Sequence, residues 1–518
     1  MARPLVRARS TVARAGSPMS AATVATSTSP CMTSPYGHHV SAQAEASDGD
    51  AGWVTDLDRL DAPAVHEPSP RPPPWSLVAI FAAYFMVILD TTVVNVALPA
   101  LSKDLHTGTT ELEWVVDAYS LVFAALLLSS GALGDRRGAK GVFQAGVALF
   151  TGASLACGLA PSTGVLVGAR CAQGLGAALA VPASLALLQD TYSQQAARRR
   201  ALGIWGGVAG VAAGAGPVVG GALVSGFGWR TVFFLNVPIG VAGLALAGRY
   251  VPPSRRRPHG ADPGGQLAAI AALAGLTAAL IEAGHQGWGA PAVRAGFAVA
   301  VVAGGAFVAI EHRVRSPMLP LGLFTSPSFS GATIVGLLIN LGFYGELFVM
   351  SLYLQQVHHL TALLAGVVLL PQMAMAVVGS ITSGRVMART GPRRPMLLGL
   401  CLGGVGLLIL AVVVGAHAAY MLLLVPFVAA GLGMSFTMPA ATAVVMEAAP
   451  PERGGLASGA INSARQVGGV IGVALLGSLV AGPGAFIPGL RVGLGIAAAA
   501  FLLGALLTAF AVERRAAF

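Results

Sequence analysis

The stretch from Gly203 to Gly240 reads GIWGGVAGVAAGAGPVVGGALVSGFGWRTVFFLNVPIG. Gly203, Gly207, Gly210, Gly214, Pro217 and Gly221 recur at alternating steps of four and three, which aligns them along one side of a helix. In water such a helix would be poor, because each Gly costs about 0.8–1 kcal/mol relative to Ala. In a bilayer the alternative is an unpaired backbone, so the helix survives, and its bare side admits a second helix at close range. Pro217 removes one N–H and is expected to bend the helix. The next span is expected to open at Trp229-Arg230, with the indole at the membrane interface. A bent helix with a bare side suits a pivot in a protein that changes shape.

The whole chain shares this character. Hydrophobic residues make up 55% and charged residues 10% of the sequence, with a mean hydropathy of +0.74, whereas soluble domains are about one-quarter charged. The net charge is +10, yet the basic residues do not interleave with aromatics as a nucleic-acid surface would. They fall in short loops between apolar runs. Cys31, Cys157, Cys171 and Cys401 lack metal-ligand spacing and read as small packing residues.

Residues 1–74 are rich in Ser, Ala, Thr and Pro and contain no apolar core of a secretory signal, so they read as a disordered cytoplasmic tail. From Trp75 onward, about fourteen apolar runs follow, each near the ~20 residues a bilayer requires. They group as a six-helix half at 75–251, a linker with two inserted helices at 252–327, a second six-helix half at 328–511, and a short tail at 512–518. One set of loops holds Arg136, Arg137, Lys140, Arg198–Arg200, Arg255–Arg257, Arg313, Arg315, Arg385, Arg389, Arg393, Arg394 and Arg453; the opposite set holds only Lys103, Arg230, Arg294 and Arg491. The positive-inside rule therefore predicts both termini in the cytoplasm.

A faint internal repeat supports two halves. GALGDRRGAK (Gly131–Lys140) joins spans two and three, and GRVMARTGPR (Gly384–Arg393) joins spans ten and eleven. Gly131 matches Gly384, Arg136 matches Arg389, Gly138 matches Gly391 and Lys140 matches Arg393. Parallel repeats are a known ground plan for a transporter with its site between the halves.

Here the sequence resembles a known family. Gly131–Lys140 is similar to the loop signature G-x-L-x-D-R-x-G-R-K of the major facilitator superfamily, and Gly216–Gly221 to its antiporter motif G-P-x-x-G-G. LDTTVVNVALP (Leu89–Pro99) resembles the first-span motif of the fourteen-span drug:proton antiporter branch, whose members include quaternary-ammonium, multidrug and methylenomycin-type antibiotic exporters. Arg170–Gly176, Trp229–Gly240, Tyr353–Gln356 and Arg465–Gly469 fit the same branch. Two positions depart from it: Ala139 replaces a loop Arg, and Ala212 stands where the antiporter motif often begins with Gly. The resemblance implies an all-α membrane protein of about fourteen helices, two six-helix halves of the major facilitator fold plus two inserted helices.

Physical reasoning adds roles. Gly131, Gly134 and Gly138 permit a tight reversal, Asp135 can accept backbone N–H bonds, and Arg136 and Lys140 can reach acids or carbonyls nearby. The expected role is a latch on a cytoplasmic gate, against the plainer reading of a positive-inside anchor. Gly210, Gly214, Gly216, Pro217, Gly220 and Gly221 are the expected antiporter pivot.

Charges within spans cost at least ~2.5–3.5 kcal/mol and mark function. Asp90 in span one, with Arg170 nearby in span four, is the leading candidate for a proton site, with a structural ion pair as the alternative. Glu346 in span nine could bind a proton or a cationic substrate. Asp117, after Trp114 at the outer end of span two, is a further candidate for proton or substrate coupling, with wetting by the external cavity as the equal alternative. Arg465 reads as a tie between helices, Glu282 and Glu311 as solvated span ends, and His358 and His359 as an outer loop.

No G-x-x-x-x-G-K-[ST] loop or G-x-S-x-G elbow is present, so the chain does not read as an enzyme, and uphill transport must draw on an ion gradient. One proton crossing ~100 mV supplies about 2.3 kcal/mol, roughly a fifty-fold gradient. The expected function is proton-driven export of small hydrophobic or amphipathic compounds, antibiotics or drugs, across a bacterial inner membrane. The expected partners are substrate, protons and lipid, with no nucleic acid, cofactor or metal, and a monomer as the working unit. Export of an endogenous metabolite and a non-transporting membrane sensor are the alternatives.

Overall fold

A computed structural model describes residues 74–192, 195–254, 262–314, 317–415, 418–450, 454–481 and 486–513. The expected tail up to residue 73 lies outside the described residues, as do Arg255–Arg257, Arg315, Arg453, Arg514 and Arg515 and the side chains of Asp135 and Arg198–Arg200.

The described chain is helical. In order, the helices are α1 (Pro74–Leu105), α2 (Thr109–Arg137), α3 (Ala139–Gly158), α4 (Thr163–Thr191), α5 (Gln195–Phe227), α6 (Thr231–Phe234) and α7 (Asn236–Tyr250). Next come α8 (Pro263–Gln286), α9 (Pro291–Arg313), α10 (Pro327–Leu352), α11 (Ala362–Thr390), α12 (Arg393–Val413), α13 (Tyr420–Ala448), α14 (Gly454–Val480) and α15 (Phe486–Ala511). Thirteen spans are long and apolar enough to cross a membrane, with α6 and α7 counted as one. The 29-residue α2 brings the number to fourteen; Glu111, Glu113 and Asp117 lower its hydropathy.

Helix starts follow from the sequence. Pro263 and Pro327 each occupy a first helical position, where no N–H is needed. Asp262 caps α8 by accepting from the Gly265 N–H at 2.8 Å, and Thr361 caps α11 by accepting from the Leu364 N–H at 3.3 Å.

Within the first half, α1 packs on α5 and α7, and α4 on α2 and α3; in the second, α10 packs on α14 and α15, and α12 on α13 and α15. The halves meet through α5 with α11 and α2 with α14. The inserted α8 packs on α2 and α14, while α9 packs on α8 and otherwise buries only Val293 and Glu311. The rest of α9 is exposed or half-buried.

The glycine-rich helix serves two neighbours. A Cβ at Gly216 or Gly220 would collide with Thr92 or Val93 of α1, so these glycines set the α1–α5 distance. The other side faces α11. A Cβ at Gly221 would stand 2.6 Å from the Ala362 carbonyl oxygen, and one at Gly366 would strike the Pro217 carbonyl. Toward the basic loops the spacing loosens: Gly214 would reach Met373 at 3.6 Å, Gly210 would reach Val377 at 4.0 Å, and Gly207 meets nothing within 4 Å. α5 and α11 therefore diverge toward the basic side and touch at the far side.

Hydrogen bonds between the halves agree with this closure. The Ser351 hydroxyl donates to the Asn95 carbonyl (2.7 Å), the Gln355 amide to the Val96 carbonyl (3.1 Å), and the Leu363 N–H to Ser225 Oγ (3.1 Å). All three lie toward the far side.

The two repeated loops occupy equivalent places. Gly138 (φ +96°) ends α2 and Gly391 (φ +76°) ends α11. Both need the left-handed region that disfavours side chains. Lys140 Nζ donates to the carbonyls of Val251 (2.6 Å) and Gly248 (3.2 Å) at the end of α7, and Arg393 donates to the Ala509 carbonyl near the end of α15. Gly131 and Gly134 correct the expectation: both lie inside α2, with open space where a Cβ would be, so Gly138 alone makes the reversal. Arg136 is exposed. Trp229, in the turn that opens α6, is only 3% exposed, and its Nε1–H donates to Asp104 Oδ2 at 2.9 Å.

Candidate functional site

A narrow cleft lies between the halves, lined by Thr91 and Asn95 of α1, Ser120 of α2, Tyr344 of α10, and Gln466 and Gly469 of α14. Helical periodicity divides the first-span motif among neighbours. Thr91 and Asn95, one turn apart, share the cleft face, Thr92 and Val93 meet α5, and Asp90 turns into the first half.

Asp90 and Arg170 form a fully enclosed pair, at 0% and 1% exposure, with Nη1 2.5 Å from Oδ2. The other Asp90 oxygen accepts from Asn236 Nδ2 (3.0 Å) and Gln173 Nε2 (3.3 Å). Arg170 also donates to Gln173 Oε1 (2.9 Å) and the Val115 carbonyl (2.9 Å), and its guanidinium stacks 4.4 Å from the Tyr119 ring centroid. Ser154 accepts from both Gln173 and Asn236 at 2.9 Å. This network ties α1, α2, α3, α4 and α7 of one half together. Every oxygen of Asp90 is satisfied, so its charge is compensated where it stands.

Asp117 is different. It is 0% exposed and neither carboxyl oxygen has a hydrogen-bond partner, which corrects the alternative of wetting. One turn earlier Glu113 shares this state, also at 0% exposure with both oxygens unpartnered. Its carboxyl group lies against Gly477 of α14, where a Cβ would approach within 2.5 Å. Glu113 escaped the sequence reading because ELEW looks like a wet helix start; its four-residue spacing from Asp117 was the available signal. An ionised carboxylate enclosed without donors is strongly disfavoured, so this packing accommodates the neutral acids.

In the second half Glu346 is fully enclosed; Gln372 Nε2 donates to Oε2 at 2.6 Å, and Oε1 has no partner. Arg465 joins α14 to α10 through its main chain, its carbonyl accepting from Asn340 Nδ2 at 2.9 Å, while its guanidinium donates to Asn462 Oδ1 (3.1 Å) on its own helix. Glu311 is likewise buried rather than solvated, accepting from the Leu319 N–H at 3.1 Å. His358 Nε2 pairs with the Tyr353 hydroxyl at 2.8 Å, so that histidine is engaged. Among the described residues, no group of three or more His, Cys, Asp and Glu side chains could hold a metal.

Comparison with known proteins agrees with this architecture. The sequence profile of the Major Facilitator Superfamily matches residues 80–473. The chain is 39% identical over 435 residues to the methylenomycin A resistance protein of Streptomyces coelicolor, covering 83% of this chain and 90% of that protein. It is 38% identical to the tetracenomycin C resistance and export protein of Streptomyces glaucescens, covering 79% and 76%. It is also 38% identical to the multidrug resistance protein Stp of Mycobacterium tuberculosis, covering 78% and 75%. Among solved structures, an inward-facing, unoccupied bacterial homolog of the human lysosomal transporter Spinster matches with a TM-score of 0.59 at 18% identity, covering 85% of this chain and 96% of that one. A POT family transporter in complex with a thioalcohol-conjugated peptide matches at 0.65 and 13% identity, covering 84% and 96%.

Proposed function

The chain belongs to the Major Facilitator Superfamily and is a multi-pass membrane transporter rather than an enzyme, and from that premise we propose that it exports small hydrophobic or amphipathic compounds, antibiotics or drugs, in exchange for protons. The observation that carries this reading is the 36–39% identity to antibiotic and multidrug resistance proteins along most of both chains.

By the positive-inside rule, the basic loops support a cytoplasmic position for that side in a bacterial inner membrane, with both termini inside. With that orientation, the divergence of α5 and α11 toward the basic side supports an inward-open arrangement. Substrate and protons are the partners, no cofactor is needed, and a monomer holds the whole site.

Of the enclosed acids with unpartnered oxygens, Asp117 in the first half and Glu346 in the second are read as the proton sites. A carboxyl that is neutral in a dry conformation and ionises in a wet one releases its proton in step with the change of shape. Asp90, satisfied by Arg170, Gln173 and Asn236, braces the first half instead. That arrangement weighs against the sequence-based choice of Asp90 as the proton site. Gly131, Asp135, Arg136, Gly138 and Lys140 form the cytoplasmic gate, and Gly210, Gly214, Gly216, Pro217, Gly220 and Gly221 the pivot.

The test is a drug-susceptibility panel with the chain expressed in a pump-deficient host, followed by energised inverted vesicles. Export predicts resistance to at least one drug and a substrate-induced discharge of the pH gradient. A chain that moves no solute and confers no resistance is a sensor, and the reading fails.

A further inference from the structure

Two arginines stand inside the bundle away from helix ends, and they differ. Arg170 is neutralised by Asp90. Arg465, twelfth of the 27 residues of α14, has no carboxylate within ion-pair distance among the described residues. Its Nη1 donates along its own helix to Asn462, and its Nε is enclosed with no acceptor.

Its position points toward the cleft. Its stem packs beside Gly336 of α10, where a Cβ would lie 3.3 Å from Arg465 Cγ. Gln466 and Gly469, next along α14, line the cleft with Tyr344. The cleft's apolar lining comes from both halves, Val116 of α2 facing Tyr344 of α10 and Val473 of α14. Arg465 thus stands one turn before Gly469 on the side of α14 that faces the cleft.

An unpaired cation at membrane depth is costly and marks a pathway or a ligand. Resting on the exporter reading above, we infer that Arg465 is the anchor for an acidic substrate: a flat amphipath carrying one carboxylate, held bidentately by the guanidinium while its apolar body lies along the cleft beside Val116, Tyr344 and Val473. Arginine suits this task, because its fork matches a carboxylate and it is retained in its charged form. The same charge repels lipophilic cations. Export of a monoanion against an incoming proton moves two charges per cycle, so the membrane potential contributes twice, and the attainable gradient is squared relative to a neutral substrate.

The test uses three probes with one fluorophore: 1-pyrenebutyrate, its methyl ester, and 1-pyrenemethylamine. Binding to the purified full-length protein is read by energy transfer from tryptophan to pyrene. Wild type should bind the acid about tenfold more tightly than the ester, and the amine more weakly than either. Arg465→Gln should bring the acid down to the ester, whose unchanged binding reports that the variant is folded; Arg465→Lys should fall between. Equal binding of acid and amine by wild type, or equal loss of acid and ester in Arg465→Gln, overturns the inference. Resistance and pH-gradient discharge by the wild-type chain, measured in parallel, decide the exporter reading separately.

Discussion

The Arg170 guanidinium stands 2.5 Å from the Asp90 carboxylate, and neither side chain reaches the cleft between the halves. Breaking an enclosed pair by removing one partner costs about 3–5 kcal/mol, because the remaining charge is left unpaired. Arg170→Ala is therefore expected to lower membrane levels and the unfolding temperature sharply. Asp90→Asn combined with Arg170→Gln should recover much of both. Export per folded molecule should persist in the double variant; if folded protein accumulates but uphill export is absent, Asp90 is a proton site after all.

Asp117→Asn and Glu346→Gln keep side-chain size but cannot titrate. Each is expected to fold normally, because its carboxyl is already accommodated as the neutral acid. Uphill export should vanish in at least one of them, with substrate-induced proton release, while downhill exchange survives. Wild-type uphill export by both would remove these acids from the coupling mechanism.

Glu113 sits against Gly477 where α2 and α14 close the far side. Ionisation there opposes closure, so alkaline medium on that side should slow wild-type export. Glu113→Gln should export at neutral pH and lose most of this alkaline sensitivity. Glu113→Lys should express and stall. Transport rates over a pH series separate these outcomes; an unchanged alkaline limb in Glu113→Gln would count against the role.

The α5 glycines predict a graded series. Gly207→Ala should be silent and Gly214→Ala nearly so, since the added Cβ meets open space or ordinary contact. Gly216→Ala and Gly221→Ala collide with Thr92 and the Ala362 backbone, and should lose transport. Gly210→Leu and Gly214→Leu should express but fail to export, because a bulky side chain blocks closure of the diverging ends. Export assays paired with membrane levels check the order.

Gly138→Ala forces a side chain into positive φ and should cost about 1–2 kcal/mol. Lys140→Met removes two charge-assisted bonds to the end of α7. Its expected effect is on transport rate more than on thermal stability, and Arg393→Met should behave alike at the end of α15. A rate loss in only one of the pair would show that the two loops are not functionally equivalent.

Hydropathy, loop charge and small-residue spacing depend on the solvent each residue meets, and the bilayer imposes that condition locally. For this reason the fourteen spans, the repeated loops around Gly138 and Gly391, and the bare side of α5 were legible residue by residue. The same local view saw Asp90, Arg170, Glu346 and Asp117 as costly intramembrane charges. It could not tell which were compensated, because compensation depends on partners remote in the chain. Asp90 meets Asn236 across 146 positions, and Glu113 meets Gly477 from another half of the molecule. Packing also decided that α5 serves α1 with Gly216 and Gly220 and α11 with Gly221, a division that a single helical stripe does not contain. Helix-to-helix distance is a property of two surfaces together, and only their meeting gave both Asp90 oxygens partners and left Glu113, Asp117 and Arg465 with unpartnered polar atoms.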